Sequence, residues 1–421
     1  MATLAPPAAA QSAPASAGAA TDKAIDPLDV SRAELYAEDR WQEPFRRLRA
    51  EAPVYYCEDS AFGPYWSVST YKPIVHVEAL PEIYSSQPTI TIADPIEGEP
   101  RMPMFIAMDR PKHTEQRRTV SPAFTPSEIG RMAIDVRRRT EEILDTLPIG
   151  QTFDWVDKVS IELTTQMLAI LFDFPWEDRR KLTFWSDWAG DIELVHNEDT
   201  RQQRLMHMFE CAAYFRKLWD EKKGKPMTPD LISMMLHSDA MSEMDDMEFL
   251  GNLILLIVGG NDTTRNSMSA AVYGLNLFPD ERTKLETNPG LIPNAVQEII
   301  RWQTPLAHMR RTATQDTELE GQKIRAGDKL ALWYISGNRD ESVFPDPDRL
   351  IVDRENARRH LAFGYGIHRC VGARLAELQI SILLEEMAKR RMRVHVEGEP
   401  SRVKACFVHG YRQMPVQIET Y

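Results

Sequence analysis

The sequence predicts a mainly α-helical body with a small β-rich part, and three observations carry that expectation. An apolar run from about Phe249 to Phe278 holds no proline until Pro279, and Leu253, Leu256, Ile257 and Val258 fall at the spacing of a buried helix. Between Pro126 and about Leu236 most patterns are helical as well. Strand-like pieces are short and scattered: Val54-Tyr55-Tyr56 and Tyr65–Val68 around a turn at Gly63-Pro64, residues 312–335 with Gly321, Gly327 and Asp328, then Val394-His395-Val396 and Met414–Ile418. The 421 residues are enough for a large core, and no internal repeat divides them.

Along the chain, residues 1–24 are rich in Ala, Pro and Ser and lack the basic start and apolar stretch of a signal peptide. They are expected to be a disordered extension to a single domain over 25–421. Helices are expected around Pro44–Glu51, at Pro111 with Asp109 near the N-cap, after Gln151–Asp154, and from Gly372 onward. Tyr84–Met108 is proline-rich and irregular and ends in an apolar patch, Met102–Met108. No stretch reaches the roughly 18 apolar residues that a membrane span requires. A net charge of −13 argues against nucleic-acid binding. The four cysteines (Cys57, Cys211, Cys370, Cys406) show no CxxC spacing, which points to a reducing compartment such as the cytoplasm. No CxxCH is present, and His360, His368 and Cys370 lack a fourth ligand for zinc.

Four segments carry chemistry. Phe363–Cys370 reads FGYGIHRC. A cysteine that ligates haem iron needs backbone N–H groups to stabilise its thiolate and a close approach to a flat macrocycle, which Gly364 and Gly366 would permit. His368 and Arg369 stand where donors to haem propionates would lie. The other reading is a glycine-rich turn before a helix, with an ordinary buried cysteine. Gly259–Thr264 reads GGNDTT inside the long apolar run; two adjacent glycines cost roughly 1 kcal/mol each in a helix, so room is needed there. Thr263 is placed to bond the carbonyl of Gly259 and open a groove, with Asp262 beside it. Alone, this segment reads equally well as a packing glycine pair with a polar kink. Glu298–Arg301 (EIIR) puts an acid and a base on one helix face, which alone means almost nothing. In Asp109–Arg118, His113 and Arg117 share a face, and the other reading is a solvated basic helix face.

Together these segments resemble the cytochromes P450, the haem-thiolate monooxygenases, from about residue 40 to the C-terminus. Phe363, Gly364, Gly366, His368 and Cys370 match the haem-binding loop, and Asp262 and Thr263 match the acid–alcohol pair of the oxygen-activating helix. Glu298, Arg301 and Arg349 match a buried charge cluster, although Leu350 stands where an aromatic residue is usual. His113, Arg117 and Arg311 match propionate-binding positions.

The resemblance implies a cytochrome P450 fold, with haem b (iron protoporphyrin IX) between the oxygen-activating helix and the Cys loop. Residues 25–421 would form one catalytic domain, monomeric and cytoplasmic, with Cys370 as the axial thiolate. It implies hydroxylation of a small apolar substrate, with electrons from a 2Fe–2S ferredoxin and its NADH-dependent reductase. Arg358, Arg359 and Arg369 form a basic patch for docking such a partner, or a plain solvated charge run. Pocket positions carried over are Met104 in the Met102–Met108 patch, Leu256, Gly260, Leu306, Met309 and Phe407. Their apolar, methionine-containing character suits an unbranched chain. Thr304–Arg311 and Gly259–Ser267 look most like bacterial members that hydroxylate the terminal carbon of alkanes and fatty acids. Terpene hydroxylation is the first alternative, and a haem-thiolate ligand sensor without turnover is the second.

Overall fold

The computed structural model describes residues 26–421, so the expected extension over 1–24 lies outside the described residues. The helices that frame the site are α1 (Tyr71–Ala79), α2 (Lys112–Val120), α3 (Pro126–Asp145), α4 (Glu162–Phe172), α5 (Arg180–Gly190), α6 (Glu198–Lys222), α7 (Asp246–Leu277), α8 (Ile292–Gln303) and α9 (Ala373–Lys389). The long apolar run becomes α7, whose 32 residues span about 48 Å. Asp245 starts it by accepting from the N–H groups of Met247 and Glu248 at 3.0 and 2.8 Å, and the chain leaves helix at Phe278 before Pro279. Most of α7 is buried, because α4, α5, α6, α8 and α9 all pack on it. Removing side chains such as Leu253 and Ile257 from water contributes about 1.5–3 kcal/mol each.

The strands used below are β1 (Val54–Cys57), β2 (Tyr65–Val68), β3 (Tyr84–Ser85), β4 (Met309–Ala313) and β5 (Lys329–Leu332), in a five-stranded sheet ordered β1-β2-β5-β4-β3. β1 and β2 form the expected hairpin, with Gly63 at φ +74° in the connection. β2 and β5 run parallel, with Trp66 opposite Leu330, and β4 lies antiparallel to β5. Alternation along β4 turns Met309 and Arg311 toward the central cavity, while Arg310 points the other way and pairs with Asp94 at 2.6 Å.

Two local details bear on the site. Thr304 ends α8 at φ +45°, a conformation costly for a β-branched residue. Its hydroxyl donates to the Arg301 carbonyl at 2.7 Å and accepts from Asn338 at 2.8 Å, and this turn delivers Pro305 and Leu306 to the cavity wall. At α2 it is Pro111, not Asp109, that occupies the N-cap; the Asp109 carboxylate instead accepts from the Ser85 hydroxyl at 2.5 Å and from the Ser86 N–H at 3.1 Å.

Candidate active site

The Cys loop closes on itself where the Cys370 N–H donates to the Phe363 carbonyl at 2.8 Å. Gly364 and Gly366 both turn it, at φ +67° and +68°. Their surroundings differ from the sequence expectation for one of them. Gly364 lines the cavity, but a Cβ on Gly366 would lie 2.4 Å from the Glu78 carbonyl oxygen, so Gly366 is needed for packing on the end of α1 rather than for approach to a cofactor. Cys370 is exposed only in the sense that it faces the cavity, and burial within the protein pushes its thiol up. The Gly372 N–H, just before α9, and the charges of Arg117 and Arg369 act in the opposite direction and favour a thiolate.

Beside the loop lies a set of donors. His113 is buried with neither ring nitrogen bonded, and its ring centroid is 4.1 Å from that of His368. His368 Nε2 is 2.9 Å from the Ser86 hydroxyl, while its Nδ1 has no partner. Burial lowers these imidazoles to about 4 and about 2, so both are neutral near pH 7. Arg117 donates to the Arg369 carbonyl, and Arg311 donates to Glu78 at 3.1 Å. Arg117, Arg311, His368 and Phe363 line the cavity, whereas His113 touches it only through His368. Buried donors without acceptors, next to two guanidinium groups, fit the anionic edge of a bound group. Sequence reasoning missed Glu78, a buried acid from α1 that also accepts from Tyr334 and, at 2.7 Å, from the Tyr365 N–H. Burial pushes its carboxyl up, against the pull of Arg311.

On α7, Thr263 donates to the Gly259 carbonyl at 2.9 Å as expected, and Ser267 donates to the Thr263 carbonyl at 2.9 Å. Gly259 has nothing within 4 Å of where a Cβ would stand, so it opens the groove; a Cβ on Gly260 would meet Leu168 of α4 at 2.6 Å. The two halves of the acid–alcohol pair face different ways. Thr263 is on the cavity wall, whereas the buried Asp262 carboxylate turns toward α5 and accepts from Ser186 at 2.9 Å and Asn261 at 3.1 Å. Arg265 lies 3.1 Å from Asp262 and 2.6 Å from Asp187, whose side chain is half exposed. Burial raises the Asp262 carboxyl and Arg265 opposes the rise.

The charge cluster corrects one assignment. Arg301 grips Glu298 through Nε and Nη2 at 2.7 and 2.8 Å, and its Nη1 donates to the carbonyls of Asn338 and Pro347. The third member is Arg354, whose Nε lies 2.9 and 3.0 Å from the two Glu298 oxygens. Arg349 does not take part through its side chain, which reaches outward to Asp280 and Glu281; only its carbonyl enters the cluster, as an acceptor for Arg301 and Arg354.

A cavity of about 670 Å³ joins these parts, and Met104, Leu256, Gly260, Leu306, Met309 and Phe407 all lie on its wall with Cys370 and Thr263. Its roof segment Met102–Phe105 is fixed to α7: the Phe105 N–H donates to Asn252 at 2.9 Å, and a Cβ on Gly251 would stand 2.2 Å from the Pro103 carbonyl oxygen. The family model for cytochrome P450 matches residues 290–401. Linalool 8-monooxygenase of Pseudomonas putida is 32% identical over 403 residues, 93% of this chain and 98% of that one. The chain belongs to the cytochrome P450 family. A methyl-branched lipid omega-hydroxylase of Mycobacterium tuberculosis is 34% identical over 389 residues, 88% of this chain and 90% of that one. Among solved structures, CYP153D17 from Sphingomonas sp. PAMC 26605 is 75% identical with a TM-score of 0.91, covering 94% of this chain and all of that one. Cytochrome P450-153 from Novosphingobium aromaticivorans is 60% identical with a TM-score of 0.89, covering 93% of this chain and all of that one. Cytochromes P450 are monooxygenases that carry iron protoporphyrin IX with a thiolate ligand to the iron. Among the described residues no helix is long and apolar enough to cross a membrane.

Proposed function

We propose that this cytochrome P450 hydroxylates the terminal carbon of medium-chain alkanes or fatty acids. The observation that carries the reading is the cavity itself, which sets Cys370 and Thr263 against a mostly apolar wall that includes Met102, Met104, Met108, Met167 and Met309. The relative that is an omega-hydroxylase of methyl-branched lipids supports the same regiochemistry. Hydroxylation of a terpene is the second reading, favoured by the match to linalool 8-monooxygenase over nearly its whole length.

In this reading Cys370 ligates the haem iron, Arg117, Arg311, His368 and His113 hold the propionates, and Phe363 and Gly364 pack beside the macrocycle. When bound, the haem supplies activation of dioxygen and attack on an unactivated C–H bond, which no protein side chain offers. The chain's own part is positional and protonic. Gly259 leaves open space beside Thr263 on α7, and the Thr263 hydroxyl, oriented by its bond to the Gly259 carbonyl, would hold a proton donor at that space. Asp262, buried and raised, is linked through Arg265 to the half-exposed Asp187, a route by which it would exchange protons with solvent. The apolar wall excludes water from the chain's reacting end. Electrons come from a 2Fe–2S ferredoxin reduced by an NADH-dependent reductase, and the exposed Arg358, Arg359 and Arg369 form a basic patch for it. We place the protein in the cytoplasm, in keeping with cysteines that are all free.

The test is a spectrum of the haem-loaded protein, reduced under carbon monoxide, followed by product analysis on alkanes, fatty acids and monoterpenes with a ferredoxin system. A thiolate-type carbon monoxide band and terminal alcohols are expected. Absence of that band removes Cys370 as the ligand, and hydroxylated terpenes alone move the assignment to the second reading.

A further inference from the structure

We propose that Arg204 binds the carboxylate of the substrate, so that the pocket selects straight-chain carboxylic acids; this rests on the reading of the site as one that oxidises the other end of the chain. Arg204 stands on α6 and on the cavity wall. Its Nε and Nη2 donate to the carbonyls of Trp188 and Ala189, both at 3.1 Å, at the end of α5. Those bonds fix the plane of the guanidinium and leave the rest of its five N–H donors for another acceptor. α6 packs on α5 and α7, while the turn leading to Cys370 packs on α1, so the guanidinium and the thiol come from different walls of one cavity.

The charge balance of that wall is what points to an anion. Arg204 is half-buried, and the burial it has works against its charge, yet a guanidinium stays protonated in a protein. A cation drawn partly out of water on a cavity wall is stabilised by a counter-charge there. Among the described residues Arg204 makes no ion pair. The two acids whose charge reaches it are Glu99 and Asp191; Arg201 holds the first at 2.8 Å, and Arg412 lies 3.5 Å from the second. Of the other charges on the wall, Asp94 is matched by Arg310 and Lys329 at 2.6 and 2.9 Å and Lys112 by Glu248 at 2.8 Å, while Asp109 accepts from the Ser85 hydroxyl and the Ser86 N–H. Arg117 and Arg311 belong to the edge beside Cys370. The cations that remain are Arg204 and the exposed Arg101, on a wall that also carries the apolar Ile192 and Leu205. A monoanion with an apolar tail matches this wall, because its head supplies the missing charge while its tail covers the apolar part. A carboxylate also suits the planar fork.

The experiment uses haem-loaded protein and reads the substrate-induced spin-state change in its absorption spectrum, with dodecanoate and dodecane as probes. Arg204→Gln keeps amide donors for the α5 carbonyls and removes the charge. The dissociation constant for dodecanoate is expected to rise about 10- to 100-fold, the worth of a hydrogen bond to a charged group, while that for dodecane changes by less than about threefold. Arg204→Lys should fall between wild type and Gln for dodecanoate. Equal weakening of both probes overturns the proposal and leaves Arg204 as a cap on α5, and no change for either also overturns it. Wild-type protein that responds to dodecane and not to dodecanoate refutes the carboxylate site while terminal oxidation stands; a response to neither refutes both.

Discussion

Arg349 and Arg354 lie five residues apart, and the structure gives them opposite energetic weights. In Arg354→Met, Glu298 keeps Arg301 but loses a second buried guanidinium, at a place where the side chains of Arg354 and Glu298 are 5% and 0% exposed. The carbonyls of Asp346 and Arg349 each lose one donor, at 3.0 and 3.1 Å, and keep another, the Arg349 N–H and Arg301 respectively. Breaking a buried pair by removing one partner costs about 3–5 kcal/mol, a large share of the 5–15 kcal/mol that separates a typical folded chain from its unfolded state. Arg349→Met breaks an outward pair with Asp280 whose side chains are 43% and 56% exposed, worth about 0–1 kcal/mol, and a looser one at 3.7 Å with Glu281, which keeps Lys284 at 3.1 Å. Urea unfolding of the haem-loaded protein, followed by far-ultraviolet circular dichroism, measures both, and the carbon monoxide spectrum reports whether the Cys loop keeps its geometry. Arg354→Lys retains the charge without the fork and should fall between the two. Equal losses for the Arg349 and Arg354 substitutions would refute the cluster as drawn, as would an Arg354→Met loss below about 1 kcal/mol.

Gly251→Ala forces the Met102–Pro103 backbone off α7 and should cost about 1–3 kcal/mol, with weaker dodecane binding in a spectral titration; unchanged affinity would show that the roof does not shape the pocket. Thr263→Ala should leave haem bound but lower product per NADH by about tenfold or more, with hydrogen peroxide making up the difference; full coupling would remove the hydroxyl from proton delivery. His308 bonds the Cys406 carbonyl at 3.0 Å through Nδ1 and accepts from the Ile92 N–H at 3.1 Å through Nε2, so its ring is neutral, and burial lowers it from 6.5 to about 4. The unfolded chain therefore takes up this proton near pH 6.5 and the folded chain only near 4, so stability falls by about 3 kcal/mol as pH drops through that window. His308→Gln should flatten that part of a melting-temperature profile between pH 7 and 4, and parallel profiles would contradict it.

What the sequence made legible was local. The Cys loop, the Thr263–Gly259 bond and the Glu298–Arg301 pair each lie within one turn or one short loop, where spacing alone places the groups. The hairpin at Gly63 and the single helix across Asp246–Leu277 were readable for the same reason. What stayed hidden depends on contacts between distant segments. Arg354 rather than Arg349 points inward because the turn through Asp346, at φ +48°, aims carbonyls at it, and nothing in the order of the residues distinguishes the two arginines. Glu78 reaches Arg311 across more than two hundred residues, and Asn252 reaches Phe105 from the far side of the cavity roof. Gly366 looked like a glycine kept for a cofactor, yet its close neighbour is the backbone of α1. Asp262 and Thr263 read as a pair because they are adjacent in sequence, but successive positions on a helix diverge by about 100°, so the two point to different compartments.

That divergence explains how one helix serves two functions without conflict. Gly251 and Asn252 fasten the roof, and Gly259 and Thr263 open the groove about 12 Å further along the same axis. No proline interrupts α7 between them, so one continuous helix sets the spacing of roof and groove. The roof contacts bound one part of the cavity and the groove another. Asp262 sits on the face turned to α5, where it is screened from the apolar wall and reaches Asp187 through Arg265. A proton route running through the cavity would need water among apolar side chains. The Asp262–Arg265–Asp187 chain lies on a different face of the helix and needs none there, and Thr263 on the cavity wall bonds the Gly259 carbonyl rather than Asp262.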